Sequence, residues 1–161
     1  MKTDTMKLVT FRLGQDVFAA DIFSVERVLR YVAPAAVPDA SAWISGVIEH
    51  RDKVIPVVDL RRRIELDAAS ITPETRILVL NTTSGCVGTI VDSVIEVAAV
   101  PSTSVTPPPP LFRGLAAQFV CGIAKVGEQL VVVLDVDRVL TSDDRIVLDR
   151  AVEGAETLPR G

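Results

Sequence analysis

The stretch WISGVIEHRDKVIPVVDLRRRI, Trp43 to Ile64, can be laid without a gap over FVCGIAKVGEQLVVVLDVDRVL, Phe119 to Leu140. Trp43 meets Phe119, Gly46 meets Gly122, Val57 meets Val133, Asp59 meets Asp135 and Arg62 meets Arg138. Each copy reads as an apolar strand, a polar tip, a second apolar strand and a helical turn. Upstream, VFAADIFSVERV lies over CVGTIVDSVIEV, with Val25 on Val94. The chain is therefore two copies of a hairpin, crossing, hairpin unit. A longer proline-rich loop at 101–114 absorbs the difference in spacing between the copies.

The remaining segments fit that plan. KLVTFRLGQDVFAADI alternates with period two around a Gly14-Gln15-Asp16 break, which predicts an opening hairpin. In DIFSVERVLR, Asp21 is placed to cap a short helix, with Ile22, Val25, Val28 and Leu29 on one side. YVAPAAVPDA reads as an irregular crossing, and RILVLNTTSGCVGTIVDSVIEVAAV as strands bracketing a turn at Ser84-Gly85. Pro107 to Pro110 read as a stiff spacer rather than a ligand for a proline-binding domain. TSDDRIVLDRAVEGAE predicts a terminal helix capped by Ser142 or Asp143. Many short strands and few helices imply a mainly β fold whose sheets curl to hide their edges. Two small barrels, each too small to stand alone, would share an apolar seam within one domain spanning 1–161 and exchange near 65–75. A groove between such halves is a natural place for a partner.

Composition excludes some classes. The chain has 17 basic and 21 acidic residues and a net charge of −4, so it lacks the basic face of a general nucleic-acid binder. The start has no secretory pattern, and no stretch reaches the ~20 apolar residues of a membrane helix. A cytoplasmic protein without membrane insertion is expected. Cys86 and Cys121 read as small buried apolar residues, with a disulfide as the alternative. One histidine and no CxxC leave no zinc set, and neither a metal nor another cofactor is expected.

Chemistry-bearing motifs are missing: no P-loop, dinucleotide fingerprint, HExxH or GxSxG occurs. Asp59 and Asp135 each follow a Val-rich strand and precede a helical turn, so capping explains both. Arg61, Arg62 and Arg63 read as a solvated helical turn, with a partner contact as the alternative. His50 is the one histidine, in a polar tip with Glu49, Arg51, Asp52 and Lys53. The tip is expected to be a binding surface centred on Arg51, with Glu49, His50 and Asp52 setting its charge. A small β-barrel hydrolase using His50 with Asp52 or Asp59 is the alternative from another class.

Four blocks, FRLGQDVFAADIFSVERV, GVIEHRDKVIPVVDLR, GTIVDSVIEV and the proline-containing loop, together resemble the CheW family. The likeness runs from about Leu8 to Leu140, and the P-V-x-D-L hairpin at its spacing is the most specific part. The resemblance implies two five-stranded SH3-like barrels around a common core. It also implies an adaptor without enzymatic activity in chemotaxis-type signalling. Its partners would be the regulatory domain of a CheA-type histidine kinase and the cytoplasmic hairpin tip of chemoreceptors. By motif position the receptor groove would hold Val25, Arg27, Val28 and Arg51, with Val87 a weaker candidate. An adaptor for another two-component pathway is the alternative.

Two departures stand out. The family's N-L-R-G is here Glu49-His50-Arg51-Asp52, and the acid of V-x-E-I is Arg27. Asp tolerates the left-handed geometry a glycine leaves behind better than most residues. Arg27 and Arg51 would repel at close range unless Glu26, Glu49 or Asp52 moves in. Such a change alters recognition more than stability.

Overall fold

The computed structural model describes residues 4–38, 44–63, 70–83, 85–107 and 119–138. Among these residues ten strands run in chain order: β1 Thr5–Leu13, β2 Asp16–Asp21, β3 Val25–Arg30, β4 Ile44–His50, β5 Lys53–Asp59, β6 Arg76–Thr82, β7 Gly85–Val91, β8 Ser93–Pro101, β9 Val120–Val126 and β10 Gln129–Leu134. One short helix, α1 Leu60–Arg63, leaves β5. The strands form two five-stranded sheets ordered β8-β1-β2-β10-β9 and β3-β6-β7-β5-β4. The second order repeats the first with every strand replaced by its counterpart. Each copy thus lends its opening hairpin to the sheet of the other. The loan is made through short parallel pairings, β2 beside β10 and β7 beside β5.

Burial follows from that exchange. Leu8, Val17, Ala19, Val131 and Val133 fill the interior of the first sheet. Ile55, Val57, Ile77, Val79 and Ile90 fill the second. A third cluster lies between the sheets and draws on both: Val9, Phe11 and Phe18 from one, Val58, Leu78, Leu80 and Val87 from the other. Strands β1 and β6 are buried on both faces, which is why they read as near-continuous apolar runs.

Each sheet is drawn round on itself by a single bridge. After β3, Ala35 exchanges two backbone hydrogen bonds of 2.9 Å with Val47 of β4. After β8, Thr106 does the same with Ile123 of β9, at 2.9 and 2.8 Å. The residue before each acceptor strand position is Gly46 or Gly122, the glycines that the repeat superposes. A Cβ on Gly46 would stand 2.0 Å from the Ala35 carbonyl oxygen, and one on Gly122 would stand 2.6 Å from that of Thr106. The matched glycines are thus the price of closing two small sheets.

Several sequence expectations need correction. DIFSVERVLR is not a helix. Asp21 does cap, its Oδ1 accepting from Phe23 N at 2.9 Å, but the turn lasts only from Ile22 to Ser24 and β3 follows. A bulge between Val25 and Arg27 in the pairing with β6 breaks the alternation. Val25 and Leu29 then fall four apart while packing on different clusters, a spacing that imitates a helix. The cysteines are free and not fully buried: Cys86 is half-buried at the edge of the second sheet's interior cluster, and Cys121 is exposed. The basic run is not simply solvated, because Arg61 is 2% exposed. The terminal helix, the turn residue Ser84, Trp43, the second half of the proline-rich loop and part of the exchange region at 65–75 lie outside the described residues, as do the side chains of Arg62 and Arg63.

Arg61 has a specific burial partner set. Its Nε and Nη2 donate to Asp59 Oδ1 and Oδ2 at 3.0 and 3.1 Å, and its Nη1 donates to Asp92 Oδ1 at 2.8 Å. Burial works against the Arg61 charge, but Asp59 and then Asp92 outweigh it and hold the guanidinium above its ordinary value. Asp59 Oδ1 also accepts from the Arg61 backbone N–H at 3.1 Å, the expected cap. Asp92 sits where the chain crosses from β7 in one sheet to β8 in the other. Its Oδ2 accepts from Gly14 N at 2.6 Å and its own N–H donates to Arg12 O at 3.0 Å. The guanidinium therefore ties the end of β5 to the tip of the β1–β2 hairpin across the sheet junction. In the other copy Asp135 caps its turn by accepting from Asp137 N at 3.2 Å, and Asp137 takes the opposite hairpin tip directly at Thr83 N, 2.8 Å.

Candidate functional site

The tip between β4 and β5 is a two-residue turn with Arg51 at φ 50° and Asp52 at φ 62°. Positive φ at both central residues is the type I′ geometry that matches strand twist, and asparagine and glycine adopt it most easily. An arginine there is strained, by about 1–2 kcal/mol. The expectation that Asp52 tolerates left-handed backbone holds. Asp52→Gly is expected to raise the unfolding free energy by about 0.5–1 kcal/mol, read from the midpoint of urea denaturation at constant m. A loss of stability would mean that Asp52 makes contacts worth more than its backbone strain.

Behind the tip, a depression of about 160 Å³ is lined by Glu26, Arg27, His50, Arg51, Lys53, Ile55, Val79 and Cys86. Three strands supply it. The bulge in β3 aims both Glu26 and Arg27 at it, where regular alternation would send one of them away. Strand β5 contributes Lys53 and, on its inward face, Ile55. Cys86 comes from the start of β7, and its Sγ donates to Glu26 Oε2 at 2.7 Å, with Asn81 Oδ1 at 3.3 Å. Burial pushes the Cys86 thiol up, and Glu26 adds to the rise against an opposing Lys53.

The structure thus brings Arg27, His50 and Arg51 together on one surface, with Val28 exposed and Val25 half-buried on the same strand. Glu26 lines the same depression as the two arginines, with its carboxylate accepting from the Cys86 thiol. Glu49 lines a neighbouring hollow between β3 and β4 with Leu29, Arg30 and Val47, and His50 borders both. Asp52 stays at the exposed turn. Val87 does not share this surface. It is 3% exposed and faces the core between the sheets, because β7 is buried from that point on. Sequence reading named Glu26 only as one of three acids that could move in beside the arginines, and it did not single out Cys86. The bulge that turns Glu26 inward leaves no mark in the pattern, and Cys86 reads as apolar filling. Asp59 lies six residues along β5 from Lys53, the register partner of His50, roughly 20 Å away. It is held by Arg61, so it forms no dyad with the histidine. Among the described residues no group of His, Cys, Asp and Glu could hold a metal ion, and no helix is long and apolar enough to cross a membrane.

Comparison with known proteins bears on this architecture. A family model described as the CheW-like domain matches residues 7–144. The chain belongs to the CheW family. The Chemotaxis protein CheW of Treponema pallidum is 28% identical over 145 residues, covering 88% of this chain and 85% of that protein. Protein FrzA of Myxococcus xanthus is 33% identical over 115 residues, 71% of each chain. The crystal structure of the scaffolding protein TtCheW from Thermoanaerobacter tengcongensis superposes with a TM-score of 0.81 at 30% identity, over 88% of this chain and 96% of that one. The mainly β fold of two like units expected from the repeat is borne out in topology, and the CheW fold that the resemblance implied is matched by a solved relative. In a CheW-like frame, the depression sits on the sheet that carries the β4–β5 tip, with Arg27 at the acid position of V-x-E-I.

Proposed function

We propose that this protein is a non-catalytic adaptor of chemotaxis-type signalling that couples chemoreceptors to a CheA-type histidine kinase. The observation that carries the proposal is the CheW-like match across residues 7–144, on a fold with two sheets held at a fixed orientation. The mechanism is geometric: one surface takes the kinase regulatory domain, another takes the receptor's cytoplasmic hairpin tip. The receptor surface in this reading is Val25, Arg27, Val28 and Arg51. The likeness to FrzA supports a second reading, an adaptor of another two-component pathway with the same surfaces and a different receptor.

A pull-down with the purified protein separates these readings. The baits are a CheA regulatory domain and a chemoreceptor cytoplasmic fragment, and wild type is run beside Arg51→Ala and His50→Ala. Wild type is expected to hold both baits, and Arg51→Ala to lose mainly the receptor fragment. His50→Ala is expected to keep the kinase domain. Retention of neither bait by wild type rejects the coupling of receptor to CheA and leaves the FrzA-like reading to be tested with other receptors.

A further inference from the structure

The depression behind the β4–β5 tip carries a charge opposite to that of the molecule. The chain has a net charge of −4, yet Arg27, Arg51 and Lys53 converge on a volume of about 160 Å³. Among the described residues lining it, Glu26 is the acid, and its carboxylate is already engaged by the Cys86 thiol at 2.7 Å. Below the cations lie Ile55 and Val79, at 5% and 1% exposure, so a group entering the depression is partly desolvated. Charge–charge contacts gain strength under those conditions.

The fold does not require these cations. The repeat supplies a control in the same molecule, because β8 carries the same bulge as β3. Its pairing with β1 steps from Glu96 to Val94 and skips Ile95. In that twin position Arg27 is replaced by Glu96, Arg51 by Gly127 and Lys53 by Gln129. One copy of a shared architecture is cationic and the other is not, so the charges are not there to hold the bulge or the turn. Arg51 also keeps a strained backbone at φ 50° where its twin is a glycine at φ 61°. Strain retained where an easier residue serves the turn marks a side chain used for something else.

We propose that this depression recognises a carboxylate on the partner segment that docks against β3 and the β4–β5 tip, and that the Cys86 contact keeps Glu26 from competing for the same cations. The inference rests on the adaptor reading above and names the chemistry of its receptor-side partner: an acidic side chain beside an apolar one. Cys86 is a positioning residue. Its thiol holds the Glu26 carboxylate against the β7 wall, which leaves Arg27, Arg51 and Lys53 to the incoming acid.

The test is a calorimetric titration of the full-length protein with two probes. One is a chemoreceptor cytoplasmic hairpin fragment. The other is the same fragment with the Glu and Asp residues of its tip changed to Gln and Asn. Wild type is expected to bind the amide fragment about tenfold more weakly, the size of a close charge pair at an interface. Arg27→Gln with Lys53→Gln is expected to bind both fragments alike. Cys86→Ala is expected to weaken binding of the acidic fragment only, and adding Glu26→Gln to restore it. Unfolding midpoints for these variants confirm that the fold is kept. Equal affinity of wild type for the two fragments overturns the inference and leaves the adaptor reading standing. Failure of wild type to bind either fragment removes both. An unaltered titration for Cys86→Ala overturns the role given to the thiol.

Discussion

Arg61→Ala is expected to lower the unfolding free energy by about 3–5 kcal/mol, the usual cost of removing one partner from a buried ion pair. The side chain is 2% exposed, and its removal takes the bidentate guanidinium from Asp59, itself 5% exposed. It also removes the donor that fixes Asp92, which in turn holds Gly14 N and stands between β7 and β8. Arg61→Lys is expected to recover only part of the loss. An ammonium cannot reach two oxygens of Asp59 and one of Asp92 as the planar guanidinium does. The measurement is urea denaturation followed by far-UV circular dichroism. A loss under 1 kcal/mol for Arg61→Ala would show that the aspartates are hydrated and that the junction is held by apolar packing alone. Arg138, which approaches Asp135 at 3.4 Å but is 65% exposed, supplies the comparison. Arg138→Ala is expected to cost under about 1 kcal/mol, as exposed pairs do.

The second large effect is Gly46→Ala. A methyl group there meets the Ala35 carbonyl oxygen at 2.0 Å and its carbon at 2.6 Å, both backbone atoms that cannot swing away. The residue also sits at φ +142°, where an L side chain is strained. Relief requires opening the Ala35–Val47 bridge and losing both of its hydrogen bonds, at about 0.5–1.5 kcal/mol each. With backbone strain of about 1–2 kcal/mol, the expected destabilisation is roughly 3 kcal/mol. Gly122→Ala meets Thr106 O at 2.6 Å and Val105 Cγ1 at 2.8 Å without positive φ, so about 2 kcal/mol is expected. Gly85→Ala isolates the strain, since it has φ +117° but nothing within 4 Å of the added carbon, and about 1 kcal/mol is expected. The order Gly46, Gly122, Gly85 in thermal unfolding midpoints is the check. Equal losses at all three would mean that bridge closure contributes nothing.

Much of this architecture is written in the residues. The superposition of Gly46 on Gly122 and of Asp59 on Asp135 marks the twin hairpins because identical packing problems select identical residues. The hairpins are legible because a polar break between apolar strands is a local signal, although the five-residue tip read at 49–53 narrows to Arg51 and Asp52, with Glu49, His50 and Lys53 paired in the strands. The exchange of opening hairpins between sheets is not local. Nothing in KLVTFRLGQDVFAADI states which later strand will lie beside it. The β3 bulge was hidden for a related reason: inserting one residue into a period of two produces spacings of three and four, which belong to a helix. At the site, Arg27 stands out by departing from the family pattern and Arg51 by keeping its arginine. Cys86 and Glu26 do not, because their significance lies in a contact between strands sixty residues apart. Arg61 reads as a surface charge in a run of three. Only the crossing at Asp92 makes it an interior residue.

The hairpin exchange bears on how the chain must be made. On a ribosome the N-terminal copy emerges first, yet neither sheet can close with it alone. The sheet that receives β1 and β2 needs β8 to β10, and the one that holds β3 to β5 needs β6 and β7. The sheet completed first is β3-β6-β7-β5-β4, once Val91 has left the exit tunnel, while the opening hairpin waits for strands that end at Leu134. Until then Leu8, Val17 and Ala19, whose cluster is completed by Val100, Ala124, Val131 and Val133, have no permanent cover. Synthesis at about 5–20 residues per second leaves that apolar face open for seconds. The interval is long enough for a chaperone, or for the β1–β2 hairpin of one nascent chain to take the place of its twin in another.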